Sequence, residues 1–217
     1  MADFKKVTVA LAAVGLLSSG AVQAALNDRG GGLIYDDVLD ITWLADANYA
    51  QTSNYDSDGG MDFDEANTWA AGLSYGGYDD WRLPTALNQD GSGPCANINC
   101  TSSEMGHMFY NNLGATAGNS ILLGTNTDNL ALFTNLQYVY YWSGTVYALD
   151  PALYAWYFYT DFGIQSYSFQ DFEFYAWAVR PGDVAAIPEP ETYAMLLAGL
   201  GLLGGVAKWR YRSFGAS

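Results

Sequence analysis

The central part of this chain almost lacks positive charge. Between Ala25 and Ile187 there is no lysine and only three arginines, whereas 20 of the 23 acidic residues lie there. This segment therefore has a formal charge of −17. Because phosphate groups are bound by clustered lysine and arginine, the composition excludes a nucleic-acid-binding surface and opposes binding of anionic polymers. It suits divalent cations, or an exported protein that is simply well solvated.

Residues that carry most catalytic chemistry are also scarce. The chain has one histidine, His107, and it has no nucleophile elbow and no glycine-rich phosphate loop. We expect His107 to be a partly buried helix residue rather than a base. Paired acids such as Asp36-Asp37 and Asp79-Asp80 suit glycoside hydrolysis, but adjacent acids in a turn are more typical of solvated loops. The sequence therefore predicts a protein that is not an enzyme.

Cysteine is limited to Cys95 and Cys100, which lie in a loop containing glycine, asparagine and proline. In an exported chain, two cysteines this close favour a disulfide that pins the loop. The alternative, a metal site, would need further ligands, and His107 belongs to a predicted helix. We therefore expect a disulfide.

The first residues have the order of a signal peptide. Lys5 and Lys6 precede an apolar stretch, and Val22-Gln23-Ala24 offers the small residues that a signal peptidase reads. We expect residues 1–24 to be removed by cleavage between Ala24 and Ala25. The alternative is a short N-terminal core helix.

The last thirty residues combine a short polar motif, an apolar run and a basic end. Pro188, Glu189 and Pro190 are followed by the apolar residues 193–207 and then by Lys208-Trp209-Arg210-Tyr211-Arg212. The order resembles the PEP-CTERM sorting signal of Gram-negative bacteria, which implies recognition by an exosortase. Residues 188–217 would thus be a sorting and membrane-anchor segment. The apolar run is shorter than the roughly 20 residues that span a bilayer, which suits a transient anchor better than a permanent one.

Basic residues at both ends indicate that both ends face the cytoplasm. Residues 25–187 are therefore expected outside that membrane, in the cell envelope or extracellular matrix. Their length is enough for one domain.

Aromatic and β-branched runs broken by glycine, aspartate and asparagine predict short strands in this domain. The predicted strands cover residues 33–35, 41–44, 139–142, 154–159, 165–169 and 175–179. Between two of them, Asp161-Phe162-Gly163-Ile164 has the composition of a hairpin turn.

Two helices are predicted early in the domain. One runs from Asp62 to about Leu73, and Asp62 and Glu65 have the spacing of a capping box. The other begins near Ser102 or Ser103 and ends at Gly114. Helices early and strands late indicate an α+β fold.

Four sequence blocks occur in the order typical of one family. They are Trp81-Arg82-Leu83-Pro84, Tyr141-Trp142-Ser143-Gly144, Ala155-Trp156-Tyr157-Phe158 and Ala176-Trp177-Ala178-Val179-Arg180-Pro181. Over about residues 32–183 the chain resembles the Lcl C-terminal domain family. The resemblance implies a C-type-lectin-like fold, in which two helices flank a twisted antiparallel sheet. It also implies a secreted or surface protein associated with adhesion or glycan contact.

Two of these blocks contain an arginine in acidic and aromatic surroundings. We expect Arg82 and Arg180 each to pair with a carboxylate while the stem packs on a ring. A ligand-binding role is the alternative.

Residues 54–65 have the oxygen spacing and the central glycine of a calcium loop. The predicted Ca²⁺ ligands are Asn54, Asp56, Asp58, the carbonyl of Gly60, Asp62 through water, and Glu65. Residues 48–53 do not show the pattern of an entering helix, so this would be a bare loop. The alternative is a turn in which Asp62 and Glu65 only cap the following helix.

Taken together, the sequence predicts an exported, non-enzymatic protein that binds extracellular polysaccharide or another envelope component. Exposed tryptophan and tyrosine rings would stack on sugars. The lectin tripeptides Glu-Pro-Asn, Gln-Pro-Asp and Trp-Asn-Asp are absent, which argues against sugar ligation through calcium. The alternatives are an enzyme acting on envelope polysaccharide and a purely structural matrix protein.

Overall fold

The structure is a computed structural model that describes residues 26–184. The predicted signal peptide, its cleavage site and the sorting tail lie outside these residues. The described part is mixed α/β, with more residues in strands than in helices. Its strands are β1 (Leu26–Asp28), β2 (Leu33–Asp36), β3 (Ile41–Leu44), β4 (Gly60–Met61), β5 (Asn97–Ile98), β6 (Tyr140–Val146), β7 (Tyr154–Tyr159), β8 (Ile164–Phe169), β9 (Phe174–Tyr175) and β10 (Val179–Pro181).

The helices are short, and one α-helix continues directly into a π-helical turn. They are α1 (Tyr49–Thr52), α2 (Phe63–Gly72), α3 (Glu104–His107, continued by a π-helical turn over Met108–Asn112), a 3₁₀ turn (Ile121–Leu123) and α4 (Thr127–Leu130). Among residues 26–184, no helix is long and apolar enough to cross a membrane.

The strands form two sheets, with the orders β1-β2-β3-β10 and β4-β9-β6-β7-β8-β5. The expectation of one antiparallel sheet is therefore wrong. β6 and β9 run parallel, with Tyr141 paired to Tyr175. The reason is that residues 170–173 carry the chain from β8 to the far side of β6, so that β9 runs in the same direction as β6 and β8.

The predicted strand over residues 175–179 is also wrong, because the chain changes sheet within it. Tyr175 ends β9 in the larger sheet, and Val179 begins β10 in the smaller one. Between them, Trp177 is completely buried and its indole nitrogen donates to the carbonyl of Leu44 at 2.7 Å. The run of apolar residues continues through the crossing, so the sequence pattern gives no sign of it.

Other predicted strands are confirmed. β7 has the predicted bounds, and β2 pairs with β3 in antiparallel register. β7 and β8 form the predicted hairpin, with Tyr159 opposite Ile164. Gly163 closes the turn at φ +69°, a backbone conformation that suits glycine.

Both predicted helices are confirmed. The Asp62 carboxylate accepts from the backbone N–H of Glu65 and caps α2. Ser103 caps α3, and Gly114 follows the π-helical turn at φ +66°. Residues 48–53, which were expected not to form a helix, contain α1. One turn is too short to show helical periodicity, and the buried Ala50 fixes it against the core.

The core lies where the two sheets meet and is rich in aromatic rings. Trp177 packs on Trp43 of the smaller sheet at a centroid distance of 4.8 Å and contacts Tyr141 of the larger sheet at 6.0 Å. On the other side of β6, Trp142 donates its indole N–H to the carbonyl of Met61 at 2.9 Å. Trp177 and Trp43 thus join the two sheets, whereas Trp142 packs against Phe63 of α2 on the other face of the larger sheet.

Candidate functional site

A line of partly exposed rings crosses the larger sheet. Adjacent centroids are 6.2 Å apart for Phe172 and Phe174, 4.9 Å for Phe174 and Tyr140, 4.4 Å for Tyr140 and Tyr159, and 5.3 Å for Tyr159 and Phe162. We call these five residues the aromatic row. Its members Phe172, Phe162 and Tyr140 are 52%, 43% and 36% exposed.

Strand alternation explains why the row faces outward. Tyr140 of β6 lies opposite Tyr159 of β7, and the neighbouring residues Tyr141 and Phe158 point into the core. Phe174 enters the row because β9 lies beside β6. The sheet thus sorts consecutive aromatic residues into buried and exposed sets.

The row borders an open depression of about 350 Å³. Tyr140, Tyr157, Phe172 and Phe174 line it together with Ser168, which adds a polar group to an aromatic wall. A surface of this kind offers flat apolar contact beside a hydrogen-bonding hydroxyl.

Acidic residues adjoin the row in sequence at both ends. Asp161 precedes Phe162, and Asp171 and Glu173 flank Phe172. The pKa of Tyr159 is raised, chiefly by desolvation and further by Tyr140 and Asp161, so its hydroxyl remains protonated. The row is therefore a neutral aromatic surface with an acidic border.

The arginines of the described part are all held in two-point ion pairs. Their shortest contacts are 2.7 Å in each case, for Arg29 with Asp183, Arg82 with Glu104, and Arg180 with Asp80. The expected pairing of Arg82 and Arg180 with carboxylates is confirmed. Arg180 also lies over the ring of Tyr78, 4.1 Å from its centroid. Since residues 26–184 contain no lysine, they present no unpaired Lys or Arg side chain to an anionic ligand.

Both arginine blocks and the aromatic blocks match a known family. The chain belongs to the Lcl C-terminal domain family. The match covers residues 32–180, and residues 186–213 match the PEP-CTERM protein-sorting motif. The second match indicates an exported protein of the Gram-negative cell envelope that is processed by an exosortase. No curated protein and no solved structure matches the chain.

In this Lcl domain, the residues of the predicted calcium loop bond mainly to backbone N–H groups. Asp56 accepts from Asp58 and Gly59 at 3.0 and 2.7 Å, and the first of these bonds is the main cause of its lowered pKa. Asp58 accepts from Gly60, and Asp62 caps α2. Within residues 26–184, no three or more His, Cys, Asp or Glu side chains are grouped so as to hold a metal ion. The turn geometry is present, and Ca²⁺ binding stays a prediction.

The two cysteines of the Lcl domain are joined. Cys95 and Cys100 form a disulfide with their Cα atoms 5.5 Å apart. The side chain of Gln165 reaches into the same loop and donates to the carbonyls of Ala86 and Cys95 at 3.0 and 2.7 Å. Disulfide and glutamine together fasten the loop to β8.

The single histidine lies in α3, as expected, but it is almost fully buried. Its Nδ1 is 2.9 Å from the side-chain nitrogen of Asn111. Burial lowers the pKa of His107, and the nearby charge of Asp36 only partly opposes this effect. The imidazole is therefore neutral near pH 7.

The expectation that Asp36 belongs to a solvated loop is wrong. Its side chain is completely buried and accepts from the backbone N–H groups of Val38 and Leu39 and from the side chain of Asn112 at 2.6 Å. Asp80, also expected in solvated surroundings, is bound to Arg180. Asp36 and Asp80 therefore stabilise the fold through hydrogen bonds and an ion pair.

The expectation of exposed tryptophan is wrong as well. All six tryptophans among residues 26–184 are buried, and the exposed rings are those of phenylalanine and tyrosine. Sequence reasoning named none of the five residues of the aromatic row as site residues. The available signal was that Phe162 and Phe172 each follow an aspartate next to a strand, where a core position is uncommon.

Proposed function

We propose that this exported protein is a non-enzymatic binding protein of the cell envelope or extracellular matrix, and that it binds neutral polysaccharide along the aromatic row. The observation that carries the proposal is the row itself, in which five rings in mutual contact lie at the surface of a strongly acidic domain. Exposed apolar patches of this kind mark binding surfaces in soluble proteins.

The chemistry of the row selects the class of polymer. The C–H faces of sugar rings pack on flat aromatic surfaces, and successive sugars of a chain would contact successive rings. The acidic border and the pairing of all three described arginines oppose sulfated or uronic polymers. A neutral polysaccharide has the C–H faces that pack on the rings and lacks the negative charge that the acidic border would repel.

Two finer parts of the proposal rest on the family resemblance and on the tail. We include the C-type-lectin-like relationship, supported by two helices that pack on opposite faces of the larger sheet: Phe63 of α2 contacts Trp142, and Phe109 in the π-helical continuation of α3 contacts Phe158. We also include transient attachment to the membrane through residues 188–217 before exosortase processing. Calcium would then stabilise a loop rather than ligate sugar.

The test is binding of the full-length protein, purified in detergent, to neutral and sulfated polysaccharides. The double variant Phe172→Ala, Tyr140→Ala should weaken binding to the neutral polymer by about 5- to 150-fold, since each of the two aromatic contacts contributes about 0.5–1.5 kcal/mol. The matched control is Tyr55→Ala, which removes a ring of similar exposure beside α2. Equal binding by the double variant and the wild type would refute the proposal, and so would a preference for the sulfated polymer.

A further inference from the structure

A second recess lies away from the aromatic row. Two adjoining cavities of about 410 and 490 Å³ share the residues Val38, Asn88, Gln89 and Ser102. Together they form one continuous depression between the turn after β2, the loop before the disulfide and the start of α3. We call it the polar groove. It shares no lining residue with the row.

The charged groups of the polar groove are already engaged. Glu104 is held by Arg82 and also accepts from the backbone N–H of Thr85 at 2.8 Å. Asp90 turns back into its own loop, where it accepts from the N–H and hydroxyl of Ser92. His107, which lines the groove, is neutral because burial lowers its pKa. The groove therefore offers no free cation to an anionic ligand.

Several neutral polar groups of the groove remain available. The side chains of Gln89, Thr101 and Ser102 make no hydrogen bond to any other residue of the described part. The same groove is lined by the apolar side chains of Val38, Leu39 and Leu87, and Val38 is exposed to solvent. Amide and hydroxyl groups that share a groove with aliphatic side chains match a ligand that has hydroxyls on its edge and C–H groups on its face.

The groove is held in shape by contacts between its walls. The backbone N–H of Gln89 donates to the carbonyl of Ser102 at 3.1 Å and joins the two sides. The Cys95–Cys100 disulfide closes the loop that follows. Gly106 allows α3 to pack directly on the carbonyl of Cys100, because a Cβ at this position would overlap that oxygen. A site fixed in this way loses little conformational entropy when a ligand binds.

We infer that the polar groove is a second saccharide site, which takes a single neutral sugar unit through Gln89, Thr101 and Ser102 with Val38 against its apolar face. The inference extends the proposed function, since it places two separate saccharide sites on one domain. The row would hold the length of a polymer, and the groove would hold a chain end or a side branch.

The experiment titrates the full-length protein in detergent with glucose, galactose, mannose and N-acetylglucosamine, and measures saturation transfer to each sugar by NMR. We expect at least one sugar to bind, and glucuronic acid to bind more weakly. Gln89→Ala with Ser102→Ala should weaken the binding at least about tenfold, which corresponds to about 1.4 kcal/mol. Phe172→Ala should leave it unchanged. Val38→Asp provides a second variant at an exposed position, where loss of folding is not expected.

The outcomes separate the two proposals. Absence of saturation transfer to every sugar would overturn the groove inference, as would binding that survives both the double variant and Val38→Asp in proteins with wild-type melting temperatures. Sugar binding that is lost in Phe172→Ala would also overturn it, because the sugar would then occupy the row. The row proposal fails separately, if binding of neutral polymer is insensitive to Phe172→Ala with Tyr140→Ala.

Discussion

One set of aromatic rings is buried in the core of the molecule, and another lies exposed on the outer face of the larger sheet. Tyr141 and Trp177 are completely buried where the sheets meet, whereas Tyr140 and Phe172 form part of an exposed row. Tyr140 and Tyr141 are adjacent in sequence, so composition does not separate the two sets. The pleat of β6 does, because neighbouring side chains point to opposite faces.

The two sets also differ in what surrounds them. The buried Trp177 and Trp142 satisfy their indole N–H groups with the carbonyls of Leu44 and Met61. The rings of the row contact one another beside carboxylates, and Phe174 also packs on the buried Trp142. Buried rings therefore stabilise the fold, and exposed rings are free to contact a ligand. Substitutions in each set should change different properties.

The largest effect is expected at Trp177, where the two sheets meet. Trp177→Ala removes the contacts with Trp43 and Tyr141 and the hydrogen bond to Leu44, so unfolding free energy should fall by about 3–5 kcal/mol. Urea denaturation of the full-length protein in detergent measures this change. Trp177→Phe keeps most of the ring packing and should cost less. A loss below about 1 kcal/mol for the alanine variant would show that this ring does not hold the sheets together.

The same contrast between buried and exposed positions should hold for ion pairs. Arg82–Glu104 and Arg29–Asp183 have the same two-point geometry, but the Glu104 side chain is 11% exposed and that of Asp183 is 44% exposed. Glu104→Ala should reduce the unfolding free energy by about 1.5–3 kcal/mol, the range for hydrogen bonds to charged groups. Asp183→Ala should reduce it by less than about 1 kcal/mol. Equal losses in urea denaturation would show that burial does not set the strength of these pairs.

The sequence allowed prediction of features that depend on near neighbours. The β7–β8 hairpin, the Asp62 cap of α2 and the pairing of Arg82 and Arg180 follow from local pattern and from charge. The change of sheet at Trp177 could not be predicted, because it depends on contacts with distant Leu44 and Trp43. The parallel pairing of β6 and β9 is non-local in the same way.

The sequence predicted that exposed aromatic rings form the candidate site, but it did not predict which residues they are. Exposed rings were expected, but the exposed positions were assigned in part to tryptophan, and the large indoles are instead buried. The row requires β9 to lie beside β6, and no local pattern encodes that neighbour. The polar groove is likewise built from three segments that are separate in sequence.

A smaller effect is expected at the acidic loop over residues 54–65, which contrasts with the uncharged row. Asp56, Asp58, Asp62 and Glu65 repel one another there, and Ca²⁺ would relieve this repulsion. At ten times the dissociation constant, Ca²⁺ should raise the unfolding free energy by about 1.4 kcal/mol. The melting temperature should therefore rise with Ca²⁺ in the wild type, and Glu65→Gln should remove most of the rise. A melting temperature that stays flat from chelator to millimolar Ca²⁺ would leave residues 54–65 as a turn that only caps α2.

The smallest effect on stability is expected at Phe172, and it tests the comparison most directly. This ring is about half exposed and contacts only the rings of Phe174 and Phe169, both at more than 6 Å between centroids, so Phe172→Ala should change the unfolding free energy by no more than about 0.5 kcal/mol. The same substitution should weaken binding of neutral polysaccharide, since it removes one end of the aromatic surface. Urea denaturation gives the unfolding free energy, and a binding assay on the same preparation gives the affinity for neutral polysaccharide. If Phe172→Ala instead destabilised the protein as strongly as Trp177→Ala, the exposed row would be part of the structural core, and its surface position would not indicate a ligand.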